Sequence, residues 1–296
     1  MSRRRFVRRS AEAFATAALA SQTRLFPRAA EPAASGKSIH LALLSDTHIP
    51  ADRKGGEHRK FLPWENLKAV VPQVIQARPE GVILNGDAAR LTGELGDYQE
   101  LKYLLGPLAA VAPIYIGLGN HDHRENFAKI FYQHPGERQE VKDKHVLIME
   151  WPAVRLILLD SLLYVDRVAG LLGKVQREWL AQYLEKSDQR ATVLFVHHTL
   201  GDADGDLLDT ERLFRLVRPH KQVKAIFYGH SHKYAFAEEA GIQLVNLPAV
   251  GYNFEDAEPV GWVDARFTAE GADLTLKAFG GNQSGDGKTT SVAWKR

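Results

Sequence analysis

The fold is decided by the stretch Ile114-Tyr115-Ile116-Gly117-Leu118-Gly119-Asn120-His121-Asp122, in which an apolar run gives way to two glycines and three polar residues. A run of isoleucine and tyrosine predicts a buried strand over residues 114–116. In open α/β sheets, ligands bind beyond the carboxyl ends of the strands. The stretch therefore predicts a strand that delivers Asn120, His121 and Asp122 to a functional site.

Four further predicted strands end in polar residues of the same kind. Residues 39–44 run into Asp46 and His48, residues 81–84 into Asp87, residues 192–196 into His197 and His198, and residues 225–228 into His230 and His232. One such cluster is equally well explained by a turn, a capped loop or a satisfied core histidine. Five clusters in one chain, each after an apolar strand, instead predict one shared site.

Amphipathic stretches separate the predicted strands, which include a sixth at residues 155–159. Helical patterns cover residues 64–76, 97–105, 174–185 and 209–217. Strands that alternate with helices favour an α/β fold with helices packed over sheets. After Ser231 four consecutive strands are predicted, at residues 234–239, 242–247, 261–267 and 273–278. We expect one domain over residues 37–296.

The composition limits the kind of metal site. The 296 residues include no cysteine, which excludes a disulfide scaffold and any thiolate-bound zinc or iron–sulfur site. The remaining carboxylates, imidazoles and amide oxygen favour Zn, Mn, Fe or Ni over copper(I). There are more such groups than one tetrahedral ion needs, which indicates two metal ions. No run of 18 apolar residues occurs, so no membrane span is expected.

The ordered set Asp-x-His, Gly-Asp, Gly-Asn-His-Asp, His and Gly-His-x-His, over residues 46–232, resembles the signature of calcineurin-like metallophosphoesterases. The resemblance implies a two-sheet β-sandwich flanked by helices, a four-layer αββα fold. It also implies a centre of two divalent metal ions. In that centre Asp46, His48 and His232 would bind the first ion, Asn120, His197 and His230 the second, and Asp87 both.

The resemblance further implies a reaction. A hydroxide that bridges the two metals would attack phosphorus, and His121 would protonate the leaving group as general acid. We expect Asp122 to orient the His121 imidazole and to cap a helix over residues 124–131. Arg124, His123 and His198 are candidates for contact with the substrate.

The local sequence narrows the expected substrate. Gly119-Asn120-His121-Asp122-His123-Arg124 resembles the motif of bacterial class III cyclic-nucleotide phosphodiesterases and related glycerophosphodiesterases. This favours hydrolysis of a small phosphodiester, with phosphomonoester or nucleotide hydrolysis as the alternative. A non-catalytic metal-binding protein of the same fold is the rival from a different functional class. All the proposed ligands and the proposed acid are present, which disfavours that rival.

Basic residues are concentrated at the N-terminus. Residues 1–30 contain seven arginines and one glutamate, and without them the net charge changes from +2 to −4. This does not favour a general nucleic-acid-binding surface on the remainder. Ser2-Arg3-Arg4-Arg5-Phe6-Val7 resembles a twin-arginine export motif, so residues 1–36 are predicted to be an export signal and linker. We therefore expect the twin-arginine export machinery as a partner and a periplasmic location; a cytoplasmic protein with a basic disordered tail is the alternative.

Overall fold

Alternating burial along the first strand shows how the layers are arranged. The computed structural model describes residues 38–133 and 135–295, so the predicted export signal lies outside the described residues. In β1 (Ser38–Leu44), Leu41 and Leu43 point into one core, whereas Ala42 and Leu44 point into another. Because successive side chains of a strand face opposite sides, this strand is covered on both faces.

The remaining strands are β2 (Gly81–Asn85), β3 (Ile114–Gly117), β4 (Glu137–Gln139), β5 (Val146–Glu150), β6 (Val154–Leu158), β7 (Ala191–Phe195), β8 (Val223–Tyr228), β9 (Ala235–Glu239), β10 (Ile242–Asn246), β11 (Pro259–Thr268), β12 (Gly271–Gly281) and β13 (Thr289–Ala293). They form two mixed sheets. The first has the order β13-β12-β11-β1-β2-β3, and the second has the order β4-β5-β6-β7-β8-β10-β9. In the first sheet β1, β2 and β3 are parallel, and in the second β6, β7, β8 and β10 are parallel.

In the part of the chain that the structure describes, five helices cover the outer faces of the sheets: α1 (Pro63–Ala77), α2 (Leu95–Ala109), α3 (Arg124–Ile130), α4 (Gly173–Lys186) and α5 (Thr210–Val217). Helices α1 to α3 pack on the first sheet and α4 and α5 on the second. The core between the sheets holds side chains of both, such as Leu41, Phe195 and Phe267. The predicted fold, two sheets flanked by helices in four layers, is confirmed. Within the described ranges, none of the helices has the length and apolar character needed to cross a membrane.

Two details go beyond the expectation. Strands β4, β5 and β13 were not predicted. The strands after Ser231 do not form one unit, since β9 and β10 extend the second sheet and β11 to β13 complete the first. Strand β11 pairs antiparallel with β1, residues 38–43 against 263–268, a contact between distant parts of the chain that local sequence does not encode.

Candidate metal centre

The carboxyl ends of the parallel strands of both sheets converge on one site. Each of the seven predicted metal ligands follows one of these strands: Asp46 and His48 follow β1, Asp87 follows β2, Asn120 follows β3, His197 follows β7, and His230 and His232 follow β8. Six are buried and His230 is partly exposed. Three groups have possible ligand atoms within 4.8 Å of one another: Asp46, His48 and His232; Asp87, His197 and His230; and His48, Asp87 and His121.

The backbone at this site is strained. Five of the seven residues have positive φ angles: Asp46 (53°), His48 (47°), Asp87 (45°), His230 (69°) and His232 (54°). Residues other than glycine adopt this region at a cost of roughly 1–3 kcal/mol each, and such residues cluster at functional sites. Hydrogen bonds between the loops hold them there, including the His48 amide donating to the Asp87 carbonyl at 2.9 Å. The strain indicates that these residues are held in place by the surrounding structure, which positions their side chains at the centre although their own backbone preference is for negative φ.

Two glycines allow the loops to pack closely. A Cβ atom on Gly86 would lie 2.6 Å from His197 Nδ1, and one on Gly119 would lie 2.2 Å from Asp87 Oδ1. Gly86 also has a φ of +85°, which favours glycine. The Gly-Asp motif therefore needs Gly86 for space and for conformation, and the Gly-Asn-His-Asp motif needs Gly119 for space.

Backbone carbonyls orient three of the histidines. His197 Nδ1 donates to the Asn85 carbonyl at 2.9 Å and His232 Nδ1 to the Tyr252 carbonyl at 2.7 Å. His230 uses its other ring nitrogen, since Nε2 donates to the Gly205 carbonyl at 3.1 Å. A nitrogen that donates to a carbonyl carries a proton, so in the neutral ring the opposite nitrogen has a free lone pair for a metal.

Two buried polar atoms of the predicted metal ligands make no hydrogen bond within the described part of the chain. They are Asn120 Oδ1 and His197 Nε2. A buried polar atom without a partner is costly and needs an explanation. Both atoms belong to residues predicted to bind the same ion, and an amide oxygen and an imidazole nitrogen suit a divalent cation. These two atoms fit one divalent ion, and the separate cluster of Asp46, His48 and His232 offers a second set of donors, so the donor set as a whole fits two metal ions.

The electrostatics also favour positive charge at the centre. Burial alone would raise the pKa values of Asp46 and Asp87, but the neighbouring histidines, His197 foremost, together outweigh burial and hold each pKa below its usual range. Burial would lower the pKa of His197, but Asp87 and Asp46 raise it to about 10. Burial lowers the pKa of His48 to about 3 and that of His230 to about 4, so both are neutral, as metal ligands must be. The proton on His197 thus occupies a place that a metal cation can take.

His121 lies at the edge of this centre. Its backbone N–H donates to Asp87 Oδ1 at 2.9 Å, and its ring is 5.4 Å from that of His48. Its Nδ1 is 2.8 Å from the Leu91 carbonyl and 3.4 Å from Asp166 Oδ1. The imidazole is partly exposed, as a group that reaches a substrate must be.

The expectation for Asp122 needs correction. Its carboxylate accepts hydrogen bonds from the amides of Ala88, Ala89 and Gly119 and from the Tyr98 hydroxyl, at 2.8–3.2 Å. Asp122 therefore connects the loop after β2 with the loop after β3 through hydrogen bonds. The groups that face the His121 imidazole are the Leu91 carbonyl and the Asp166 carboxylate. Burial and the nearby Asp87 raise the pKa of Asp122 to about 6 despite the three amide donors. The predicted helix cap is also wrong, since His123 caps α3 by accepting from the Asn126 amide.

The three candidates for substrate contact have structural partners. Arg124 forms a two-pronged ion pair with the buried Asp160, at 2.7 and 2.8 Å. His198 is fully buried, with Nδ1 2.7 Å from the Ser161 hydroxyl. His123 occupies the cap of α3. These structural contacts give no reason to expect that Arg124, His198 or His123 contacts a substrate.

Sequence reasoning missed Asp160, Asp166 and the aromatic residues Tyr252 and Phe254. Asp160 could have been found, because it follows β6, a further parallel strand. Asp166 lies in the loop between β6 and α4, and Tyr252 and Phe254 lie in the loop between β10 and β11, where no pattern marks them.

The family of the chain follows from comparison with known proteins. A family model for calcineurin-like phosphoesterases matches residues 39–234, a range that contains all seven predicted ligands. The chain belongs to the calcineurin-like phosphoesterase family. It is a metallophosphoesterase, and the family uses a dinuclear divalent metal centre, for which the His and Asp clusters are suited.

Relatives of this metallophosphoesterase act on cyclic nucleotides according to their names. The 3',5'-cyclic adenosine monophosphate phosphodiesterase CpdA of Haemophilus influenzae is 30% identical over 251 residues, which cover 79% of this chain and 87% of that protein. CpdA of Pseudomonas aeruginosa is 27% identical over 229 residues, covering 75% and 79%.

Solved structures share the fold. A dimetal phosphatase from Danio rerio has a TM-score of 0.65 at 15% identity, covering 86% of this chain and 99% of that chain. A purple acid phosphatase from yellow lupin, Lupinus luteus, has a TM-score of 0.61 at 14% identity, covering 86% and 54%. At such low identity the likeness concerns the fold alone.

Proposed function

We propose that this metallophosphoesterase hydrolyses phosphodiesters and that 3',5'-cyclic nucleotides are its substrate class. The observation that carries the proposal is the similarity to two cyclic-AMP phosphodiesterases, each spanning at least three quarters of both chains. The complete set of acidic, amide and imidazole groups at the strand ends supports turnover rather than binding alone. Phosphomonoester hydrolysis remains the alternative that the experiment below distinguishes.

In this proposal the seven residues at the strand ends hold two metal ions. Asp46, His48 and His232 bind the first ion, and Asn120, His197 and His230 bind the second. Asp87 contacts both sets, because its Oδ2 lies 3.3 Å from His197 Nε2 and 3.8 Å from His48 Nε2. A single carboxylate near both sets is what a bridging ligand requires.

The bound metals would supply positive charge that attracts the phosphate and makes a water molecule nucleophilic near neutral pH. The remaining chemistry belongs to the chain. As the water oxygen bonds to phosphorus, the bond from phosphorus to the leaving oxygen breaks, and that oxygen takes a proton from His121. A cyclic nucleotide would open to a single product that carries a phosphomonoester and a free ribose hydroxyl, whereas an acyclic diester would give a phosphomonoester and a separate alcohol; His121 then regains a proton from solvent.

An aromatic cluster beside the centre supports a nucleotide substrate. The Phe254 ring stacks on His232 with centroids 4.1 Å apart, and Tyr252 stacks on His48 at 4.9 Å. His58 packs against Tyr252 at 4.4 Å. Phe254 is 48% exposed, so it offers a free apolar surface next to the metal ligands. Nucleobases stack on such surfaces with little dependence on base identity.

The test is hydrolysis by the purified protein with its metal content measured on the same sample. We expect cleavage of cyclic AMP and of bis-p-nitrophenyl phosphate in the presence of Mn²⁺, and slower cleavage of p-nitrophenyl phosphate. Chelation should abolish the activity and Mn²⁺ should restore it. Preference for the monoester would contradict the proposed substrate class, and absence of turnover with metal bound would contradict the proposed activity.

We also propose that residues 1–36 form a twin-arginine export signal and linker and that residues 37–296 form the catalytic domain. The paired Arg3 and Arg4 before Phe6 support the first part. Cell fractionation tests it: the native chain should reach the periplasm, and a variant with Arg3→Lys and Arg4→Lys should stay in the cytoplasm. Equal export of the two would contradict the signal.

A further inference from the structure

A carboxylate from a distant loop contacts the proposed general acid. Asp166 Oδ1 lies 3.4 Å from His121 Nδ1, and the Leu91 carbonyl lies 2.8 Å from the same nitrogen. Asp166 belongs to the segment between β6 of the second sheet and α4, whereas His121 follows β3 of the first sheet. The contact therefore joins the two sheets at the mouth of the metal centre.

The loop holds Asp166 in a fixed place. Its backbone N–H donates to the carbonyl of Asn120, the residue before His121, at 2.8 Å. The backbone N–H of Arg167 donates to the Tyr164 carbonyl at 3.1 Å and closes a turn around Asp166. Asp166 has a φ of 59°, an unfavourable conformation for aspartate that the loop nevertheless adopts. The predicted metal ligands show the same combination of a positive φ and a side chain held at the site.

The two neighbours of Nδ1 determine the proton position on His121. A carbonyl oxygen and a carboxylate only accept hydrogen bonds, so Nδ1 must carry a hydrogen in both charge states of the ring. The second proton of the imidazolium is then on Nε2, the nitrogen left to face a substrate. Partners of this kind fix the tautomer and the orientation of functional imidazoles.

We infer that Asp166 is a positioning residue for His121, which holds the imidazole with Nδ1 protonated and Nε2 aimed at the leaving group. The inference rests on the proposed role of His121 as general acid. Asp166 itself exchanges no proton: the proton moves from His121 Nε2 to the leaving oxygen as its bond to phosphorus breaks. This role is the one that the sequence had suggested for Asp122, whose carboxylate is occupied by backbone amides and Tyr98.

The test compares leaving groups. Cyclic AMP expels an alkoxide that needs a proton, whereas p-nitrophenolate from bis-p-nitrophenyl phosphate leaves with little help. If cyclic AMP is not cleaved, glycerophosphocholine takes its place as the alkoxide substrate. Asp166→Asn should lower kcat on the alkoxide substrate about tenfold, with KM and metal content unchanged, and lower kcat on the aryl substrate less than about twofold.

A double variant shows whether Asp166 acts through His121. His121→Ala should slow the alkoxide substrate strongly, and adding Asp166→Asn should cause no further loss. The matched control is Asp143→Asn, because Asp143 is also an exposed aspartate with a positive φ, 58°, in a turn between β4 and β5. This control should behave as the wild type.

The outcomes distinguish a failure of the proposed phosphodiesterase function from a failure of the inference about Asp166. A wild type that cleaves neither diester refutes the proposed function. With an active wild type and a slow His121→Ala variant, unchanged kcat in Asp166→Asn overturns the inference about Asp166. An equal loss on both substrates, a loss of metal, or a further loss in the double variant also overturns it, since each indicates a role other than positioning His121.

Discussion

Replacing Asp87 with asparagine is expected to lower kcat/KM for the diester substrate by at least about 10³-fold, which is about 4 kcal/mol of transition-state stabilisation. Asp87 is 2% exposed and lies close to His197, His48 and the His121 amide. Removing its charge takes a shared carboxylate from both sets of ligands at once. We therefore expect the metal content to fall together with the activity, as measured by elemental analysis and steady-state kinetics on one preparation.

A suitable control is Asp273→Asn. It makes the same change in an exposed residue of β12, away from the strand ends that form the centre. This variant should keep both metals and full activity. Retention of both metals by Asp87→Asn, with a rate within tenfold of the wild type, would contradict the bridging assignment.

Replacing Arg124 with alanine is expected to lower the free energy of unfolding by about 3 kcal/mol. Arg124 pairs with Asp160, whose side chain is fully buried, and its guanidinium also donates to the Leu162 carbonyl. Without Arg124, the nearest remaining cation to this carboxylate is Lys144, at 3.8 Å. A buried charge that loses its main partner is costly, because the carboxylate cannot regain its hydration.

Urea denaturation of the variant measures this effect. Arg59→Ala is the control, since Arg59 pairs with Asp256, a carboxylate whose side chain is 96% exposed, and exposed pairs contribute about 0–1 kcal/mol. Unchanged stability in Arg124→Ala, together with a KM for the diester raised more than about tenfold, would instead support the substrate contact suggested by the sequence.

Much of the metal centre could be predicted because its residues follow parallel strands. Hydrophobic runs identify such strands, and the carboxyl ends of parallel strands meet at one edge. Apolar runs end within three residues of Asp46, Asp87 and His197, and the structure places these three residues side by side. Here the local order of residues determines where they lie in space.

The surroundings of the proposed acid could not be predicted in this way. Asp166 reaches His121 from the loop between β6 of the second sheet and α4, and no local pattern indicates where such a loop closes. The sequence links Asp122 to His121 only because the two residues are adjacent in the chain. In the structure the carboxylate of Asp122 is buried and accepts hydrogen bonds from the amides of Ala88, Ala89 and Gly119 instead. The division of the last five strands between two sheets likewise depends on long-range pairing, such as that of β11 with β1.

The most direct test of the account is to locate the metals in crystals grown with Mn²⁺, by anomalous scattering. We expect two peaks per chain: one among Asp46, His48 and His232, the other among Asn120, His197 and His230, with Asp87 within bonding distance of both, as a two-metal site requires. A single peak, or peaks away from these residues in protein that hydrolyses diesters, would contradict the dinuclear centre on which the account depends.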